Sequence, residues 1–434
     1  MNFRRFNNYQ TMKKLLFTVA LLIGFTSFSQ HGLDTEIENI EAKVIEWRRH
    51  FHENPELSNR EFNTAKKIAA HLKSLGLEVQ TGIAFTGVVG ILKGNQPGKV
   101  LALRADIDAL PVYERADLPF KSKVTSRFGG QDVGVMHACG HDTHTAILMG
   151  VAEILSNNKD KIKGTIKFIF QPAEEGPPKG EEGGAHLMIK EGVLKNPTVD
   201  AIFGLHISSA QPVGTIAYKA GGMMAASQRF EINVQGKQTH GSMPWGGIDP
   251  IMASVKIIDG LQTLVSREMP LTKEAVVLSI GKITSGVRSN IIPEAAQIIG
   301  TLRTLNYGMQ AHMNKRMREM VPAIAKAYRA TATIEIADGT AITYNHLELT
   351  AQMLPSLKAA AGASNVFEIK AITGAEDFSF YQKEVPGLFF FLGGMTLGNK
   401  EAFPHHTPDF FIDESGMLLG VKAFIQLSID YLNN

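Results

Sequence analysis

One cysteine stands among histidines in this sequence. The stretch His137-Ala-Cys139-Gly-His141-Asp-Thr-His144 gathers a thiol and three imidazoles. Tandem carboxylates follow at Glu174 and Glu175, then an imidazole at His206 and a pair at His405 and His406. Two more carboxylates stand upstream, in Asp106-Ile-Asp108. Thiolate, imidazole and carboxylate are the donors of a divalent metal site. Cys139, His141, Glu175, His206 and His406 are too many for one catalytic ion that keeps open positions. Two ions sharing a ligand would use all five, and such pairs suit amide hydrolysis. A thiolate suits the shared position, because it has several lone pairs and ionises on a metal. Plainer readings exist. A lone cysteine is usually a small buried hydrophobe, and tandem glutamates are usually solvated. His137 and His144 read more readily as structural residues, and His405 competes with its neighbour His406.

Placement favours chemistry. Apolar runs at 88–92, 100–104, 165–170, 201–205 and 388–392 read as buried strands. Helical spacing covers 40–52, 62–75 and 145–155. This alternation predicts an α/β fold, a mostly parallel sheet flanked by helices. Ligands of open α/β sheets bind beyond the carboxyl ends of strands. Asp106 and Asp108, Glu174 and Glu175, His206, and His405 and His406 all follow such runs. Between about 222 and 336 the order becomes β-α-β-β-α-β, that of an inserted ferredoxin-like α+β domain. The expected division is 31–221 with 337–434 as one domain and 222–336 as the other. Two glycine-rich stretches, 87–94 and 281–286, lack phosphate-binding spacing and read as turns.

The 434 residues carry 44 basic and 42 acidic side chains, are 44% hydrophobic and 20% charged. That balance excludes disordered, collagen-like and polytopic membrane chains, and gives no support for nucleic-acid binding. One cysteine excludes an intrachain disulfide. Residues 1–30 hold four basic residues, no acidic ones and an apolar run from Leu15 to Phe25, the layout of a signal peptide. Met12 is an alternative start. The run is short for a bilayer span, so the expectation is a periplasmic or secreted protein with no stable membrane anchor.

The motifs Arg-Arg-His-Phe-His-Glu-Asn-Pro-Glu (48–56), Leu-Arg-Ala-Asp-Ile-Asp-Ala-Leu-Pro (103–111), Met-His-Ala-Cys-Gly-His-Asp-Thr-His (136–144), Gln-Pro-Ala-Glu-Glu-Gly (171–176), Gly-Leu-His (204–206), Gly-Ala-Glu-Asp-Phe (374–378) and His-Thr-Pro (406–408) together resemble the M20 metallopeptidase family. The likeness is to its amidohydrolase subfamily of N-acyl-amino-acid, hippurate and auxin-conjugate hydrolases. It runs from about Ile45 to the end of the chain.

The resemblance implies two divalent ions, Mn or Zn with Co or Ni also possible, on Cys139, His141, Glu175, His206 and His406, with Cys139 bridging. It makes Glu174 the general base and Asp108 an orienter. The inserted domain becomes a lid that carries His240 as oxyanion stabiliser and Asn290 and Arg303 as contacts to the substrate carboxylate, and through which a homodimer forms. The substrate would be an N-acyl amino acid or dipeptide. Asp106 stands where the wider family has His, and Trp245 where a His is often found. Competing readings are a thiol hydrolase with Cys139 as nucleophile and a non-catalytic binding protein on the same scaffold.

Overall fold

The computed structural model describes residues 33–399 and 401–434; the signal-peptide reading of 1–30 lies outside them. The strands of the main sheet run, in spatial order, Glu78–Ile83, Gly87–Lys93, Lys163–Gln171, Gln96–Asp106, Ala201–Pro212, Gly387–Met395, Ile216–Tyr218 and Val366–Glu368. The central four, from Lys163–Gln171 to Gly387–Met395, are mutually parallel. Antiparallel partners join at both ends. The fold class agrees with the sequence reading.

Alternation along each strand explains the layering. Leu101, Leu103 and Phe168 point into one apolar core, beneath the helices Asp34–Glu53, His141–Asn157 and Met417–Asn433. Ala102, Ile169 and Phe389 point into a second core on the opposite face, under the short helices Gly184–Lys190 and Phe378–Glu384. The first face is covered by long helices and the second by short ones and loops.

Register then aligns the chemistry. Asp106 pairs with Gln171 in neighbouring parallel strands, so the loops carrying Asp108 and the tandem glutamates leave the sheet at one level. The strand bearing His206 runs on past it to Pro212, longer than expected, and His206 pairs with Phe391.

The segment 226–336 forms its own sheet, in spatial order Val276–Ser285, Ala295–Thr304, Ala226–Gln235 and Thr331–Ile336, all antiparallel. Helices Pro250–Thr263 and Tyr307–Ala327 pack on it around Phe230, Ile298 and Met317. This is the expected β-α-β-β-α-β order. Of the two readings of residues 87–94, the buried strand at 88–92 holds, as Gly87–Lys93, and the turn is corrected. Residues 281–285 likewise finish a strand before the turn at Gly286. In both places β-branched and apolar neighbours outweigh the glycines.

Candidate metal centre

His141 is the first residue of its helix, behind Gly140 at φ +94°. A side chain at Gly140 would meet Ile207 Cγ2 at 2.3 Å. That glycine lets Cys139 and His141 turn toward the same point. His141 Nδ1 donates to the Asp108 carbonyl at 2.9 Å and lies 3.2 Å from its Oδ1. Its Nε2 is buried with no hydrogen-bond partner, 3.8 Å from Asp106 and 3.9 Å from Glu174. His206 donates from Nδ1 to the Ile207 carbonyl at 2.6 Å, which leaves the Nε2 lone pair facing Cys139 Sγ at 3.4 Å. Such outer contacts fix tautomer and ring direction, as metal-binding imidazoles require.

His406 sits on a loop in the left-handed region, φ +62°, a conformation costing about 1–2 kcal/mol outside glycine. Its Nε2 lies 3.2 Å from Cys139 Sγ and 2.9 Å from Glu175 Oε1. The Glu175 oxygen still has no partner in hydrogen-bonding geometry. A ring nitrogen and a carboxylate oxygen that close, yet outside hydrogen-bonding geometry, are what a shared cation would explain. His405 is already engaged. Its Nδ1 donates to the Cys139 carbonyl and its Nε2 accepts from the Ser209 amide, both at 3.2 Å. His144 is spent in the same way, on Asp106 at 2.5 Å and on the Ile207 amide at 2.8 Å. His137 is buried with neither ring nitrogen partnered.

Ligand atoms of Cys139, His141 and His206 lie within 4.8 Å of one another, as do those of Cys139, Glu175 and His406. The two sets share the thiol. His141, Glu174 and Glu175 form a further set, which puts Glu174 beside both. Without a cation the electrostatics are unfavourable. Burial, then Glu175 and Glu174, push the Cys139 thiol well above its usual range. Burial, then Glu376 and Glu175, do the same to Glu174. Burial opposes charging His141, but Asp106 and Asp108 outweigh it and push it up to about 10. Clustered acceptors, a bare Nε2 and a bare carboxylate oxygen fit divalent ions.

One positive group is built in. Arg104 is fully buried and binds Gln171, Asp106, Glu376 and Asp377 at 2.7–2.9 Å. Sequence reasoning gave it no role, although an arginine ending an apolar strand run was the visible signal. Asp377, pushed up to about 7 by burial against the pull of Arg104, also receives Gln171 and the Ala185 amide. Its own amide donates to Glu174 at 3.4 Å.

The centre opens into a cavity of about 830 Å³ between the two sheets. Cys139, Glu174, Glu175, His206 and His406 line its floor and Arg303 stands on the second sheet. Burial lowers the Arg303 pKa from its ordinary value, and Arg303 has no ion pair among the described residues. His240 and Asn290 do not line the cavity: both are exposed, and His240 Nδ1 accepts from Ser242 at 2.6 Å.

A model of the peptidase family M20/M25/M40 matches residues 102–430. The chain belongs to this family. It is similar to thermostable carboxypeptidase 2 of Saccharolobus solfataricus, 42% identical over 92% of this chain and 98% of that one. It is also similar to an N-acetylcysteine deacetylase of Bacillus subtilis, 39% identical over 89% and 96%. A solved Bacillus subtilis structure described as a dinuclear metal-binding peptidase of family M20 superposes with TM-score 0.76, 36% identity and coverage of 91% and 99%. This M20 protein is thus an enzyme, a metal-binding hydrolase of the metallopeptidase and amidohydrolase group, and the reading as a non-catalytic binding protein falls away.

Proposed function

We propose that the enzyme hydrolyses the amide bond of N-acyl amino acids or dipeptides, with Cys139, His141, Glu175, His206 and His406 holding two divalent ions and Cys139 shared between them. The observation that carries this is the pair of three-residue donor sets meeting at one thiol, beside Glu174. Manganese and zinc both suit the donors, since thiolate favours zinc and carboxylate manganese. Bound there, such ions would lower the pKa of a water and polarise the amide carbonyl.

The protein's own groups do the rest. Glu174, held by the Asp377 amide, takes a proton from the attacking water and returns it to the departing amine. Asp108 fixes His141 through Nδ1 and the tandem glutamates through their amides. Arg303 offers the substrate carboxylate an unpaired cation in a partly desolvated place. His240 donates to the developing oxyanion, and for this the second sheet, taken as a lid over 222–336, closes on the first. Two copies pair through that lid, and the chain acts after export across a membrane.

The test is a panel of N-acetyl, N-benzoyl and indole-acyl amino acids and dipeptides, assayed before and after chelation. Turnover of at least one class, lost on chelation and restored by Mn or Zn, is expected. Turnover that survives complete metal removal would overturn the reading.

A further inference from the structure

The tandem glutamates stand on a turn that begins with Ala173 at φ +52°, an unusual conformation for a residue with a side chain. Three successive amides leave this turn, and each meets a carboxyl group from elsewhere in the chain. Ala173 donates to Glu61 Oε1 at 3.0 Å, Glu174 to Asp108 Oδ1 and Glu175 to Asp108 Oδ2, both at 3.1 Å. Asp108 has a role in the reading above; Glu61 has none.

Glu61 is wholly buried. Its second oxygen accepts from Thr86 Oγ1 at 2.6 Å. Thr86 follows Ala84 and Phe85, which also have positive φ, so this one carboxyl group ties two strained turns together. Glu61 is the N-cap residue of the helix Phe62–Ser74, but its side chain caps none of the helix amides. Glu56 caps them, accepting the amides of Asn63 at 3.1 Å and Thr64 at 2.8 Å. A buried carboxyl group is costly, and this one serves neither its own helix nor the metal donors. Burial and the nearby Asp108 push it up to about 8, so glutamine is a close match for its neutral form.

We infer that Glu61 is a positioning residue: by holding the Ala173 amide in the left-handed turn it aims the Glu174 side chain at the reacting water. The inference rests on the general-base reading of Glu174. Strain held at a functional turn persists only when its surroundings over-determine it, and Glu61 with Asp108 supplies that.

The test uses metal-loaded full-length protein and the variants Glu61→Ala, Glu61→Gln and Thr86→Val. Amide hydrogen exchange across residues 173–176 reads the turn directly. Glu61→Ala should speed exchange there at least tenfold and lower kcat by roughly 10- to 100-fold, with KM and metal content little changed, since small misplacement of a catalytic group has effects of that size. Glu61→Gln keeps an acceptor for Ala173 and should restore both. Thr86→Val, which frees one oxygen of Glu61, should give a smaller loss of the same kind, and decides the matter if Glu61→Ala does not fold. Unchanged exchange at 173–176, or a folded Glu61→Gln as damaged as Glu61→Ala, would overturn the inference. If Glu174→Gln kept full turnover, the general-base reading would fail instead, while the exchange result would still judge the turn.

Discussion

The two sheets treat polar side chains in opposite ways. Around the eight-stranded sheet, charged groups are buried and bonded to each other: Arg48 and His52 to Asp142, and Arg104 to Asp106, Glu376 and Asp377. In the four-stranded sheet no charged side chain is buried among the described residues, and the core is apolar. His240 and Asn290 lie at its surface. Buried polar groups must be paired, so the first region is set in place before any substrate arrives. The second presents groups that have solvent or weak local partners, free to engage a ligand.

Cys139→Ala removes the atom common to both donor sets. We expect bound metal to fall and turnover to drop by at least about a thousandfold, as loss of essential catalytic groups does. Metal analysis beside the kinetics checks it, and full occupancy with normal rates would break the picture.

Arg48→Met leaves Asp142 buried without its guanidinium. Breaking a buried pair in this way costs about 3–5 kcal/mol, read as a lowered denaturation midpoint. The same cluster gives a pH dependence. Burial opposes ionising Asp142, but Arg48 and His52 outweigh it and hold it well below the usual carboxylate range. Its depressed folded-state pKa supplies stability above about pH 4, lost as pH falls further. Asp142→Asn should therefore flatten the acid limb of a stability–pH curve.

In the segment 226–336 the effects should be kinetic and smaller. Arg303→Ala should raise KM by about 10- to 100-fold, roughly 1.4–2.7 kcal/mol, with little change in melting temperature. Lys256→Ala, which removes an exposed 3.8 Å pair with Asp259, should change stability by no more than about 0.5 kcal/mol.

Much of this organisation was legible in the sequence, for physical reasons. Continuous apolar runs marked the central strands because those are buried on both faces. The polar residues just beyond them marked the site because ligands bind there. The choice of His406 over His405 was legible only through the family resemblance, not from residue types or spacing. It depends on a backbone turn at φ +62° and on the Ser209 amide claiming His405. Glu61 was hidden for a similar reason: it reads as an ordinary residue at a helix start, and only the folded chain brings it to Ala173. Arg104 was visible as an oddity but not as a hub, because its partners lie up to 273 residues away.

The ion-binding floor with Glu174 as the proton carrier is tested most directly by Glu174→Gln. Glutamine keeps the shape and cannot take a proton. The expected variant keeps the wild-type content of two ions per chain and has turnover reduced by at least about a thousandfold, within the range for an essential general base. A metal-loaded Glu174→Gln enzyme that still turns over at the wild-type rate would contradict it.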